Sequence, residues 1–153
     1  MNIVNYSTLR AIEIADLFHQ CVHSIDTSVY SNEQQEAWAI TPPDYQKWAS
    51  RLLIKKPYLA IIDGRVAGFI ELDPDGHIDC MYTCVDFQRR GVAKALFDHI
   101  LAIATNSGIK RLYVEASIIA KPLFEKFGFE TLQENSIERN QQILTNFSMQ
   151  KLL

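Results

Sequence analysis

Six consecutive residues, Gln88-Arg89-Arg90-Gly91-Val92-Ala93, have the types that hold an anion. They lie between an apolar run, Ile78 to Val85, that reads as a strand, and a stretch of helical periodicity beginning at Val92. A small-residue turn at a helix start leaves several backbone N–H groups without intrahelical partners, and the helix dipole adds partial positive charge there. Gly91 admits close backbone approach, Ala93 keeps the first turn narrow, and Arg89, Arg90 and Lys94 add screened attraction. Such a corner suits phosphate, so a phosphate-bearing cofactor is expected. No Gly-x-x-x-x-Gly-Lys-Ser/Thr occurs, which argues against an ATP-type loop, and no Gly-x-Gly-x-x-Gly follows the first strand, which argues against a dinucleotide fold.

Groups able to move a proton stand just upstream. His77 and Asp79 share one face of a strand, and Glu71 lies on the strand before it; each also reads as a plain polar residue near a strand end. Ser117, close to a strand-to-helix break, suits either a helix-entry cap or a hydroxyl donor. His19 and His23 have the i, i+4 spacing that can grip a metal ion, but the sequence assembles no third ligand, so an ordinary pair and no metal are expected. Cys80 and Cys84 share a strand face opposite Asp79 and are expected to pack rather than react.

The pattern Gln-x-x-Gly-x-Ala resembles the acyl-CoA loop of the GNAT superfamily of N-acetyltransferases. The likeness is strengthened by the strand before the loop, the helix after it, a strand at Arg111 to Glu115, and the run Ala120-Lys121-Pro122-Leu123-Phe124-Glu125-Lys126-Phe127-Gly128-Phe129, and it covers about Tyr58 to Phe129. The resemblance implies acetyl-CoA as acyl donor and direct transfer to a primary amine, without a covalent intermediate. It implies that Cys84 and Val85 pair with the pantetheine arm, that Gln88, Arg89, Arg90, Gly91, Val92, Ala93 and Lys94 hold the pyrophosphate, and that Ser117 and Phe124 lie near the cofactor. It also implies an oxyanion donor in the N–H near Val85 and a base in Asp79, with His77 and Glu71 as further candidates. Phe124 departs from the family pattern, since many members carry a tyrosine there that protonates the leaving sulfur; Ser117 could supply a hydroxyl instead. Tyr30, Gln34, Trp38 and Tyr82 are expected on the acceptor side, and Tyr30-Ser31-x-Glu33-Gln34-x-x-x-Trp38 with His77-x-Asp79 is similar to a bacterial branch of the superfamily without assigned substrates. The missing tyrosine supports a second reading, an acyl-CoA-binding sensor or interaction module with little transferase activity.

Acyl transfer from a thioester demands a neutral amine, a stabilised oxyanion and a tolerable leaving thiolate. A lysine-like amine with a pKa of ~10.4 is almost wholly protonated at neutral pH, so a base or a desolvating pocket must remove its proton. A thiol near ~8.5 leaves without full protonation.

At 153 residues, with 48% hydrophobic residues, the chain is expected to form one domain spanning 1–153. No apolar run approaches the ~20 residues of a membrane-spanning helix, and the first residues lack a signal-peptide pattern, so a cytoplasmic protein without membrane attachment is expected. Three cysteines without Cys-x-x-Cys spacing indicate neither a disulfide framework nor structural zinc. A net charge of −3 offers no global attraction to nucleic acid, which favours a small anionic ligand beside the basic loop. The partners expected are a small-molecule or peptide amine and at most a second copy of the chain, as monomer or homodimer.

Around these residues the spacing predicts a strand at Ile3 to Tyr6, a helix capped by Ser7 or Thr8 with Leu9, Ile12, Leu17 and Phe18 on its apolar face, and helices at Asn32 to Trp38 and Tyr45 to Leu53. Strands at Tyr58 to Ile62, Val66 to Leu72 and Ile78 to Val85, joined by Asp-Gly turns, read as an antiparallel meander. A helix from Val92, a parallel strand near Leu112, a short helix ending at Gly128 and a last hairpin, Phe129 to Ile137 with Gln142 to Met149, complete the chain. The fold class is mixed α/β: a mostly antiparallel six- to seven-stranded sheet with helices on both faces. The GNAT resemblance adds a gap between the fourth and fifth strands.

Overall fold

The computed structural model describes residues 1–153. Strands β1 (Asn2–Asn5), β2 (Tyr58–Ile62), β3 (Arg65–Leu72), β4 (His77–Thr83), β5 (Arg111–Ser117), β6 (Glu130–Arg139) and β7 (Gln142–Leu152) form one sheet in the order β1-β2-β3-β4-β5-β7-β6. All neighbours are antiparallel except β4 and β5. The helices are α1 (Ala11–His23), α2 (Asn32–Trp38), α3 (Tyr45–Lys55), α4 (Val92–Asn106) and α5 (Lys121–Lys126). None is long and apolar enough to cross a membrane.

Strand alternation separates the two covering layers. On β3, Phe69 is fully buried toward Trp48 of α3 and Tyr82 of β4, while its neighbour Gly68 faces the other way. A Cβ on Gly68 would lie 2.8 Å from Val92 Cγ1 and 2.9 Å from the Tyr82 carbonyl oxygen, so only glycine lets α4 lie this close. Thus α1 and α3 cover one face and α4 the other.

Two local readings change, and the turn of the last hairpin is now defined. Ser7 caps a 3-10 turn at Thr8–Arg10 before α1, and its tighter winding shifts the helix phase: Ile14, Ala15, Leu17 and Val22 are buried, whereas Leu9 is 92% and Ile12 64% exposed. Strand β4 stops at Thr83, and Val85–Phe87 form a 3-10 turn in which the Phe87 N–H donates to the Cys84 carbonyl. The β6–β7 hairpin turns on Asn140 and Gln141, both left-handed (φ 48° and 70°), the backbone geometry that Asp63 and Gly64 give the β2–β3 turn. Asparagine tolerates that region, and Asn140 Nδ2 is further anchored on the Ala37 carbonyl at 2.8 Å.

The parallel pair is the feature that makes a site. β4 and β5 are in register only at His77 with Tyr113 and Ile78 with Val114; beyond Ile78 they part. β5 is held at its start, where the Tyr113 N–H donates to the Gly76 carbonyl and a Cβ on Gly76 would lie 2.0 Å from the Arg111 carbonyl oxygen. Beyond its other end, the Tyr30 hydroxyl accepts from the Ile118 N–H at 2.9 Å and donates to the Thr145 carbonyl of β7 at 2.6 Å. With β5 bound to β7 along its whole length, the far half of β4 is left with an open edge.

Candidate active site

The open edge of β4 leads to the loop at 88–91. Arg89 and Gly91 both take positive φ, 62° and 77°, and Gly91 is the N-cap of α4. No side chain caps this helix, so the first-turn amides at Val92, Ala93 and Lys94 point outward without a side-chain acceptor. A Cβ on Gly91 would meet nothing within 4 Å; its requirement is backbone conformation and room outside the chain, not internal packing. Phe87 is buried with the Arg65 and Arg90 guanidinium groups 4.9 and 5.5 Å from its ring centroid, which fixes the loop's base. Lys94 is paired with Asp98 at 2.6 Å on the surface, so Arg89 and Arg90 are the loop's cations without a carboxylate partner.

A cleft of about 690 Å³ opens from this loop between β4 and the β5–α5 junction. Gln88, Arg89, Gly91, Val92, Ala93 and Lys94 line it, as do Ser117, Trp38 and Tyr82. Sequence reasoning missed Cys21, Asp26, Met81, Thr83, Leu123 and Lys126 on the same walls. Leu123 and Lys126 of α5 and its N-cap Ala120 recur every three residues, a spacing that marks one helix face in the sequence itself. The Cys84 N–H donates to the Ala67 carbonyl at 2.7 Å, so it is not free for a ligand. By alternation, Met81 and Thr83 instead turn their backbone groups to the gap, where the Thr83 carbonyl accepts from the Cys21 thiol at 2.9 Å. Val85, on the 3-10 turn, is 36% exposed and its N–H has no intrahelical partner.

Several anticipated residues have other duties. Phe124 is buried among Phe127 and Phe129, and Leu123 faces the cleft in its place. Tyr30 is 2% exposed with both hydroxyl functions committed to backbone. Gln34 closes a capping box with Ser31 and gives its amide to the Ile143 carbonyl. Ser117 Oγ accepts from the Ala120 N–H at 3.1 Å, a turn-forming bond that leaves its own proton available.

Glu71, His77 and Asp79 do not line the cleft. They belong to a polar network beside α3: Arg51 bonds Glu71 at 2.6 Å and Asp79 at 2.9 Å, Lys55 bonds Asp79 at 2.8 Å and Asp73 at 2.9 Å, and the His77 ring nitrogens lie within hydrogen-bond distance of Asp73 and Glu115. A register shift between Glu71 and Leu72 helps bring Asp79 and Cys80 to the same arginine. Burial pushes the Glu71 carboxyl upward against the pull of Arg51. For Asp79, burial opposes charge, but the Lys55 hydrogen bond and the Arg51 and Lys55 charges outweigh it and hold the carboxyl below its ordinary range. Burial raises the Cys80 thiol and, with the nearby Cys84, raises Cys21 to about 12, so neither is a thiolate at neutral pH. The Tyr82 phenol is pushed well up by burial, partly opposed by Trp38.

A splayed sheet opening onto an uncapped helix start is the arrangement that the GNAT resemblance implies, and comparison with known proteins bears on the family. Residues 26–153 match the family model described as the acetyltransferase (GNAT) domain. The chain is 32% identical over 149 residues to the uncharacterised N-acetyltransferase YafP of Escherichia coli (strain K12), covering 97% of this chain and 94% of that protein. It superposes with TM-score 0.93 on a GCN5-related N-acetyltransferase from Rhodopseudomonas palustris, at 33% identity over 99% of this chain and 95% of that one. The PaiA N-acetyltransferase from Thermoplasma acidophilum, solved in complex with coenzyme A, shares the fold at TM-score 0.75 and 17% identity over the full length of both chains. The chain belongs to the GNAT acetyltransferase family.

Proposed function

We propose that this acetyltransferase takes its acetyl group from acetyl-CoA and passes it directly to a primary amine. The observation that carries the reading is the continuity of the open β4 edge with the uncapped start of α4 in one cleft. The residues fit the cofactor: the amides of Gly91 to Lys94 and the guanidinium of Arg89 would hold its diphosphate, and backbone groups of Met81 with the N–H of Thr83 would pair with its amide-bearing arm, the Thr83 carbonyl being engaged by Cys21. When bound, acetyl-CoA supplies the thioester.

The chain's own residues then have separable tasks. The Val85 N–H is the oxyanion donor, a contribution on the order of 3 kcal/mol when well aimed. The Ser117 hydroxyl, whose proton is not committed, donates a hydrogen bond to the departing sulfur, which leaves as a thiolate without full protonation. Trp38, Tyr82 and Met81 form the acceptor wall, whose apolar surface favours the neutral amine. Asp79 is the water-linked proton acceptor: His77 is held between two carboxylates and Glu71 is sealed by Arg51, whereas Asp79 keeps access to solvent. Two adjacent cations make it a weak base. With no thiolate available at Cys21 or Cys80, transfer without an acyl-enzyme is favoured.

Thiol release from acetyl-CoA should be followed with a panel of polyamines, aminoglycosides, amino acids and peptides. Saturable, amine-dependent release is expected; saturable CoA binding without turnover on any amine would make the protein a sensor or interaction module.

A further inference from the structure

The sequence leaves His19 and His23 without a third ligand; the fold supplies one. We propose that His19, His23 and Glu36 form a site for a divalent transition-metal ion of the zinc class, on the side of α1 and α2 turned away from the acetyl-transfer cleft. Their ligand atoms lie within 4.8 Å of one another. The two imidazoles, one turn apart on α1, stack with centroids 4.1 Å apart and planes inclined by 28°, so their Nε2 atoms face the same segment of chain. His23 Nε2 is 3.6 Å from Glu36 Oε2, close to the ~3.4 Å edge of a tetrahedron whose metal–ligand bonds are about 2.0–2.1 Å. His19 Nε2, now 2.7 Å from Thr41 Oγ1, would exchange that bond for the ion.

The surroundings orient the set. Thr41 Oγ1 bonds both His19 Nε2 at 2.7 Å and Glu36 Oε2 at 2.8 Å, and its N–H donates to Glu36 Oε1 at 2.6 Å. Because Thr41 Oγ1 gives its proton to Glu36, it accepts from His19 Nε2, so a metal ion would take the place of that ring proton. His23 Nε2 donates to the Ala39 carbonyl at 2.7 Å; coordination replaces that bond and leaves the ring proton on Nδ1. Two imidazoles and one carboxylate leave the fourth position to water, and a groove of about 680 Å³ lined by His23, Glu33 and Glu36 gives the ion a way in. A second cluster, Asp73, His77 and Asp79, is equally compact, but the Lys55 ammonium already sits among its carboxylates as the required cation.

The consequence is a clamp. Cys21 and Val22, between the two histidines on α1, line the acetyl-transfer cleft, as does Trp38 two residues beyond Glu36. An ion here would lock the helices that carry the acceptor wall. The site rests on no assumption about the acceptor or the chemistry.

The test uses the tag-free 153-residue chain, stripped with a chelator and titrated with Zn²⁺ at neutral pH. One ion per chain is expected, with the imidazole nitrogen resonances of His19 and His23 moving while those of His77 and His99 stay in place, and with a rise in Tm. Co²⁺ should give the visible bands of a four-coordinate site. His19→Gln and Glu36→Gln should each weaken binding at least tenfold with an unchanged circular dichroism spectrum. Unmoved His19 and His23 resonances at saturating Zn²⁺, or wild-type affinity in His19→Gln, would overturn the proposal; the resonances decide it in the wild-type protein even if a variant fails to fold.

Discussion

Gly91 has two separable requirements. Alanine there meets no protein atom, so Gly91→Ala should fold with a loss of about 1–2 kcal/mol from the left-handed backbone, readable by urea denaturation. Gly91→Glu adds charge and bulk where the diphosphate is proposed to rest, and calorimetry should find acetyl-CoA binding lost; wild-type affinity would refute the phosphate assignment. Asp79 is a different case. A directly placed base contributes roughly 10²–10⁴-fold, so Asp79→Asn should lower kcat by less than ~10²-fold, with cofactor affinity kept. An unchanged rate would remove Asp79 from proton transfer. Because its folded pKa is depressed, its contribution to stability is present above the unfolded value of ~3.9 and lost as pH falls through the folded one. Asp79→Asn should therefore flatten the acid limb of the stability curve, measured as Tm against pH.

Between elements, Arg51 is the cross-link that joins α3 to β3 and β4. Glu71 is fully buried, so Arg51→Met leaves its charge unpaired and should cost about 3 kcal/mol, the lower end for a broken buried pair because the arginine is one-third exposed. Arg51→Met with Glu71→Leu should recover most of that loss; failure to recover would mean that Asp79, left with Lys55 alone, dominates the effect. The β6–β7 turn is where the sequence breaks its own rule. Gln141 occupies a φ of 70° without glycine's freedom, so Gln141→Gly should stabilise by about 1 kcal/mol, or a Tm rise of roughly 2–4 °C. Asn140 should keep the hairpin in register, since its amide is tied to Ala37 on α2.

At the scale of the whole molecule, the sheet is zipped from β1 to β4 and from β5 to β6, and the seam between the halves is held by only two residues on each strand. A ligand that bridges the seam should stabilise the fold by mass action. Acetyl-CoA at about 100 times its dissociation constant should add roughly 2.7 kcal/mol, a Tm rise on the order of 5–10 °C by differential scanning fluorimetry. No shift at saturating acetyl-CoA would sink the proposed cofactor.

The sequence by itself determined the elements and the loop. Asp-Gly turns, the apolar stripe of α4 and the Gln-x-x-Gly-x-Ala spacing are local signals, and local signals survive without tertiary context. It also contained the departure at Phe124. Tertiary structure decided what each polar residue does, because a side chain's partners come from distant segments. Glu71 and Asp79 are 20 and 28 residues from the arginine that binds them, and Tyr30 spends its hydroxyl on residues 88 and 115 positions away. The same holds for His19 and His23, whose spacing is written on one helix while their third neighbour, Glu36, arrives only when α2 folds back beside α1. Period and composition are properties of a segment; charge pairing and convergence belong to the packed chain.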